Sequence, residues 1–205
     1  IDTRGDVVAF GSRVLDKSEP KYMNSSETPV YSKRRVLYGL NLAKKSKRPN
    51  IILCEGNLDI VTLHQAGFDN AVASMGTALT VEQTRLLSRF TKELVLCYDN
   101  DNAGKIATER ALQILNGSEF SVKVLQLPRR LVDGEYIKQD ADDFIKFQGP
   151  DAFERLLNGS ENGVEFRMAQ IAGKYDLKDD EARIAYCGEV SELLASLPGA
   201  VEREI

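Results

Sequence analysis

Two short acidic motifs constrain this chain more than anything else in it: in each, a short apolar run is closed by carboxylates and followed by a helical pattern. Ile51-Ile52-Leu53-Cys54 ends on Glu55-Gly56-Asn57-Leu58-Asp59, and Leu94-Val95-Leu96-Cys97-Tyr98 ends on Asp99-Asn100-Asp101. Apolar runs without polar alternation belong to strands covered on both faces. Strands that alternate with helices imply right-handed crossovers and a mostly parallel sheet. The spacing predicts strands over 51–54, 70–74, 93–98 and 121–127, and helices over 58–65, 81–90 and 103–115. Thr80 is the expected N-cap of the second helix, and Gly67 ends the first. After 127 a polar loop leads to a short helix from Asp142, and the tail from Pro150 has helical spacing. Upstream, 7–15 reads as a bent strand or hairpin with Gly11 as a bulge, 16–33 as a polar loop or link, and 34–45 as an amphipathic helix. The expected fold is therefore α/β: a mostly parallel sheet with flanking helices over 51–149, a basic N-terminal α+β part over 1–50, and a helical part over 150–205.

Ligands of open α/β sheets bind outside the carboxyl ends of the strands. Glu55 and Asp59 stand at one such end, Asp99 and Asp101 at another, and Asp140, Asp142 and Asp143 follow the last strand. Carboxylates gathered there are hard oxygen ligands suited to Mg²⁺ or Mn²⁺. Two such ions can activate a hydroxyl and stabilise the leaving oxygens of a phosphoryl displacement. Gly56 and Gly104 would give tight strand-to-helix turns that let the backbone approach a phosphate. Cys54, Cys97 and Cys187 are far apart with no CxxC spacing, which argues against structural zinc and a disulfide framework, and leaves Cys54 and Cys97 as buried thiols. His64, the only histidine, reads as a packing or surface residue.

The net charge of −4 hides an asymmetry: residues 1–50 carry 11 Lys/Arg against 5 Asp/Glu, and residues 51–150 carry 10 against 14. A basic segment beside an acidic centre suits a polyanion held near metal. Tyr22, Tyr31 and Tyr38 interleave with the basic residues and could stack on bases, although core packing is the expectation for Tyr38. No apolar run reaches the length of a membrane span and no signal peptide is visible, so a cytoplasmic location without membrane contact is expected. The opening at Ile1, without an initiator Met, suggests a piece of a longer protein.

The E-G-x-x-D of Glu55, Gly56 and Asp59, followed by the D-x-D of Asp99 and Asp101 with Ala103, Gly104 and Ala107, resembles the Toprim domain of primases, topoisomerases and related nucleases. The stretch 70–77 (NAVASMGT) resembles the same domain. Upstream, Gly11-Ser12-Arg13-Val14-Leu15, Pro20-Lys21-Tyr22-Met23-Asn24 through Thr28, Lys33 and Leu37-Tyr38-Gly39-Leu40 resemble the catalytic core of bacterial replicative primases of the DnaG type, over about residues 5–157, with PGAVERE at 198–204 also fitting.

The resemblance implies a primer-synthesising RNA polymerase that acts at the replication fork on single-stranded DNA with ribonucleoside triphosphates, and passes through an RNA primer/DNA hybrid. It implies Glu55, Asp99 and Asp101 as the catalytic, metal-binding carboxylates, with Asp59, Asp140 and Asp142 as further metal ligands. It gives Arg13, Lys21, Tyr22, Asn24 and Lys33 to nucleotide and template. The late acidic segment reads D-A-D-D instead of the commoner D-P-D, which leaves the register of Asp142 against Asp143 open. The family's zinc belongs to an N-terminal domain absent here, and its helicase contact is expected in a region outside this chain. The alternatives are a Toprim nuclease or topoisomerase fragment, for which the basic motif at 21–33 would have no reason, and a non-catalytic nucleic-acid-binding module, against which the retention of Glu55, Asp99 and Asp101 speaks.

Overall fold

A computed structural model describes residues 1–14, 22–75 and 77–197 of the chain. In chain order the elements are β1 (Gly11–Arg13), β2 (Tyr22–Asn24), α1 (Leu40–Ala43), β3 (Asn50–Cys54), α2 (Asn57–Gln65), β4 (Ala71–Ala73), α3 (Val81–Leu87), β5 (Glu93–Leu96), α4 (Asn102–Leu115), β6 (Ser121–Val124), β7 (Arg130–Val132), β8 (Glu135–Ile137), α5 (Ala141–Gln148), α6 (Pro150–Asn158), β9 (Glu161–Asn162), α7 (Gly163–Ala172) and α8 (Asp180–Ala195). The expected α/β fold with a mostly parallel sheet is what forms. The apolar runs lie side by side in the order β4-β3-β5-β6, all parallel, and β9 closes the edge antiparallel to β6.

Strand alternation sorts the buried side chains onto two faces. Ile51, Leu53, Leu94 and Leu96 meet Leu87 of α3, Leu112 and Leu115 of α4, and Phe166 of α7. Ile52, Cys54, Val95 and Cys97 meet Ile60 and Leu63 of α2, Phe144 of α5 and Phe153 of α6. Phe153 is fully buried and packs edge-on against Phe68, with ring centroids 4.8 Å apart. Burying an aromatic of this size stabilises by about 1.5–3 kcal/mol. Thr80 caps α3 as expected, accepting from the Gln83 amide at 3.1 Å.

Three local expectations change. The helix anticipated over 34–45 shrinks to Leu40–Ala43, because Tyr38 instead pairs its backbone with the edge of β4, the Tyr38 and Ala73 amides donating to each other's carbonyls at 2.9 and 3.0 Å. Gly39 then turns the chain at φ 82°, where an added Cβ would meet the Ile60 side chain at 2.8 Å and the Ala71 carbonyl at 3.0 Å. Gly11 forms no bulge: it opens β1 in regular register opposite Asn24. The polar loop after 127 is the hairpin β7–β8, turned by Asp133 and Gly134, both with positive φ as a tight two-residue turn requires. Past residue 150, α6 packs with α5, β9 joins the sheet, and Phe166 enters the opposite face.

Candidate metal centre at the strand tips

The chain leaves β3 toward β4 on one side, then returns through α3 to β5 and continues to β6 on the other. The strand order therefore reverses between β3 and β5, and at such a switch point the loops part and leave a crevice. Glu55 and Asp99 follow these two neighbouring strands, and the Asp99 amide donates to Glu55 Oε1 at 3.4 Å. Asp101 is the N-cap of α4, its Oδ1 accepting from the Gly104 amide at 2.8 Å. That bond brings Gly104 hard against the strand end: a Cβ there would lie 1.9 Å from the Asp99 carbonyl oxygen. Gly104 thus makes the tight strand-to-helix turn expected of it. At Gly56 a Cβ would meet the Asp59 side chain, Oδ2 lying 2.8 Å away.

Asp59 joins this tip to the late acidic segment. It lies in the first turn of α2, buried, with Oδ2 accepting from the Gly56 amide at 3.1 Å and Oδ1 from the Asp142 amide at 3.2 Å. Asp140 caps α5 through the Asp143 amide at 2.7 Å. Asp142 accepts from Thr62 Oγ1 and from Lys146 Nζ, the latter at 2.5 Å. Among the described residues, Asp140, Asp142 and Asp143 form a group whose carboxylate oxygens lie within 4.8 Å of one another, so the late segment offers both register candidates at once.

Crowding shows in the proton affinities. Burial, then the neighbouring Asp99, pushes Glu55 above the usual carboxylate range. Burial, then Asp140, drives Asp59 up to about 7. Burial also raises Asp99, opposed by Lys138 and reinforced by Asp140 and Asp101. The Lys138 hydrogen bond and the α4 amides hold Asp101 low. Burial pushes Asp142 upward, but Lys146 and Thr62, with the Arg13 guanidinium nearby, outweigh it and leave the group below its ordinary value. Burial, then Asp140 and Asp142, raises Asp143.

The basic segment is reached in part. Arg13 on β1 stands near enough to act on Asp142. Asn24 on β2 donates from Nδ2 to the Met75 carbonyl at 3.4 Å, tying the antiparallel β1–β2 pair to the tip of β4. Lys33 is held differently: its amide donates to Glu27 Oε1 at 2.7 Å, and its carbonyl accepts from Gln83 Nε2 at 2.9 Å. Lys21 lies outside the described residues, as do the Tyr22 side chain and the segment 198–204. Tyr31 is a core residue, 1% exposed, with its hydroxyl on Met75 Sδ at 3.8 Å. Arg48 pairs with Glu154 at 3.0 Å and covers the Phe68 ring. Cys54 and Cys97 are buried free thiols, and His64 Nε2 meets the Ala71 carbonyl at 2.9 Å, both as expected.

Three contributors escaped the sequence reading. Lys138 bridges Asp99 and Asp101. Thr62 bonds Asp142 from the middle of α2. Met75 adopts φ 56° where β4 ends, a left-handed conformation that a non-glycine residue holds only when its surroundings enforce it. Beside Glu55 a cleft of about 300 Å³ opens, lined among others by Ser74, Thr77, Tyr98 and Arg110.

The donor set fits a divalent cation. All the candidate ligands are carboxylates, and the oxygens of Asp140, Asp142 and Asp143, within 4.8 Å of one another, can share an ion whose bonds are ~2.0–2.6 Å long; Glu55, Asp99 and Asp101 do not fall in that group. The caps on α4 and α5 use one oxygen each of Asp101 and Asp140. A cationic group, the Lys138 ammonium, already lies between Asp99 and Asp101. Among the described residues no helix is long and apolar enough to cross a membrane.

Three family models match the sequence: "DNA primase catalytic core, N-terminal domain" over residues 1–44, "Toprim-like" over 52–145, and "DnaB-helicase binding domain of primase" over 164–205. The third corrects the expectation that the helicase-binding segment lies outside this chain. A DNA primase of Clostridium acetobutylicum is 40% identical over 205 residues, 100% of this chain and 33% of that protein. The chain thus spans about a third of the length of the curated relatives it matches. A DnaG primase catalytic domain solved bound to single-stranded DNA superposes with a TM-score of 0.80 at 33% identity, over 98% of this chain and 64% of that one. The RNA polymerase domain of Mycobacterium tuberculosis primase DnaG, solved with a double-stranded DNA oligomer carrying a 6-nucleotide overhang, superposes at 0.81 with 30% identity, over 100% and 65%. Since the sequence likeness runs the length of the chain and the same architecture carries it, this chain belongs to the bacterial DnaG-type DNA primases, as part of their Toprim-containing catalytic core.

Proposed function

We propose that the protein is a DNA primase, a nucleotidyltransferase that copies single-stranded DNA into a short RNA primer from ribonucleoside triphosphates. The observation that carries this reading is the meeting of Glu55 and Asp99 at the switch point of the sheet, with Asp101 and Asp140 close enough to act on the Asp99 carboxyl. Mg²⁺ or Mn²⁺, held by Glu55, Asp59, Asp99, Asp101, Asp140 and Asp142, would supply charge stabilisation at the α-phosphate and a more acidic 3′-hydroxyl. The protein's own work is positioning. Glu55 and Asp99 are fixed by the strands beneath them, and Asp101 and Asp140 by the helices they cap, so the carboxylates keep their places as the substrate changes. Arg13, Asn24 and, by family likeness, Lys21, Tyr22 and Lys33 would hold triphosphate and template along the basic N-terminal segment. The helicase contact is assigned to α7 and α8: along α8 only Val190 is buried among the described residues, while Ile184 is 74% exposed, as a docking helix would be.

The test is primer synthesis by the whole protein on single-stranded DNA with labelled nucleoside triphosphates and Mg²⁺ or Mn²⁺. Asp99→Asn should lower synthesis by at least ~100-fold, the scale on which charge stabilisation at a reacting centre acts, and leave single-stranded DNA binding intact. Asp142→Asn should act more mildly, because Asp143 stands beside it. Primer synthesis that survives Asp99→Asn would end the polymerase reading, and template cleavage in place of extension would transfer the site to the nuclease alternative.

A further inference from the structure

Lys138 stands at the base of the β7–β8 hairpin, one residue past β8. Its Nζ lies 2.8 Å from Asp101 Oδ2 and 3.6 Å from Asp99 Oδ2, so one ammonium bridges the two carboxylates of the D-x-D motif. The fold delivers it there. Gln139 Nε2 donates to the Pro128 carbonyl at 2.7 Å and closes the base of the hairpin. Asn100 Nδ2 donates to the Leu127 carbonyl at 2.9 Å and ties that base to the loop between Asp99 and Asp101. The Lys138 side chain is itself 58% exposed, so it can leave its bridge without opening a cavity.

We propose that Lys138 is a built-in counter-ion of Asp99 and Asp101, displaced when a divalent cation binds and then transferred to the phosphates of the incoming nucleotide. This rests on reading those carboxylates as metal ligands and says how the site is loaded. A cation bound to the same oxygens at ~2.0–2.6 Å would occupy the space the ammonium bridges. Two positive charges at that separation repel, so an ion arriving alone must expel Lys138 into solvent, whereas an ion arriving with a triphosphate brings the expelled ammonium a new anionic partner. The flexible four-carbon stem of lysine suits such a transfer better than a planar guanidinium would. Metal and nucleotide affinities are then coupled through Lys138, and the coupling is reciprocal.

Titration of Mn²⁺ followed by electron paramagnetic resonance tests this on the chain, with and without a non-hydrolysable nucleoside triphosphate. Lys138→Met removes the charge and keeps the stem. It should tighten binding of Mn²⁺ alone by about tenfold, and shrink the factor by which nucleotide tightens Mn²⁺ by a similar amount. Lys138→Arg should behave like the native chain in Mn²⁺ alone, and in an Asp99→Asn background the effect of Lys138→Met should vanish. A merely structural lysine would instead leave Mn²⁺ affinity unchanged or weaken it in Lys138→Met, and that result overturns the proposal while leaving the metal site standing. A native chain that takes up no Mn²⁺ even with nucleotide would remove the metal reading itself, and this proposal with it.

Discussion

Asp59 offers a measurement in which burial, hydrogen bonding and titration can be separated by one substitution. The residue is only 7% exposed, and burial with Asp140 lifts its pKa from 3.8 to about 7. A carboxyl raised on folding favours the folded state in its protonated form. Its contribution is complete below the unfolded pKa and is lost as pH rises through the folded value. At ~1.36 kcal/mol per unit, the gap of roughly three units removes about 4 kcal/mol of stability by pH 8, of which about 1.6 kcal/mol has already gone at pH 5. Asp59→Asn cannot ionise and escapes this loss. It can accept only one of the two amides, Gly56 and Asp142, that the carboxylate now serves. The other is left unpaired at a cost of about 1–2 kcal/mol. The variant should therefore match the native chain at pH 5 and exceed it by roughly 2–3 kcal/mol at pH 8. Urea unfolding with chelator present, at pH 5, 6.5 and 8, reads this directly. A stability difference between the two proteins that stays flat across that range would refute the reasoning, because only a group titrating in the window can tilt it.

Two further outcomes follow from the geometry of the strand tips. Gly104→Ala drives a methyl onto the Asp99 backbone, where no flexible side chain can yield, and should cost ~3 kcal/mol or more in urea unfolding; a loss below ~1 kcal/mol would mean that α4 can slide away from β5. Crystals soaked in Mn²⁺ should show anomalous density ~2.0–2.6 Å from oxygens of Glu55, Asp99 and Asp101, and a second peak at the Asp140–Asp142–Asp143 turn; density confined to the second position would separate the two acidic sets.

The strands were legible because their signal is local: an unbroken apolar run can be satisfied only by burial on both faces, and Asn50–Cys54 and Glu93–Leu96 form where the runs stand. The β7–β8 hairpin was legible too but went unread. Leu131-Val132-Asp133-Gly134-Glu135-Tyr136-Ile137 carries the Asp-Gly pair of a tight turn between apolar positions, the pattern of a two-residue hairpin. The helix expected over 34–45 failed for a different reason. Leu37 and Leu40 are spaced as on a helix and are both buried, yet they are separated by a backbone bridge to Ala73 and a left-handed Gly39, which side-chain periodicity does not register.

By itself the sequence determined the alternation of strands and helices, the parallel sheet and the acidic residues at the strand ends, since each follows from hydrophobic period and from the chemistry of carboxylates close to it in the chain. Only the tertiary structure decided which carboxylates meet. Asp59 and Asp142 are 83 residues apart and share a hydrogen bond because α2 and α5 pack on the same face of the sheet. Lys138 reaches Asp101 from 37 residues away because a hairpin returns to the strand tips. Asp101, Asp140 and Gly104 proved to be parts of the scaffold as well as of the candidate site, capping helices or admitting a close backbone contact. A charge exerts its influence through a few ångströms of space, whatever the length of chain between, and that distance is set only once the core has packed.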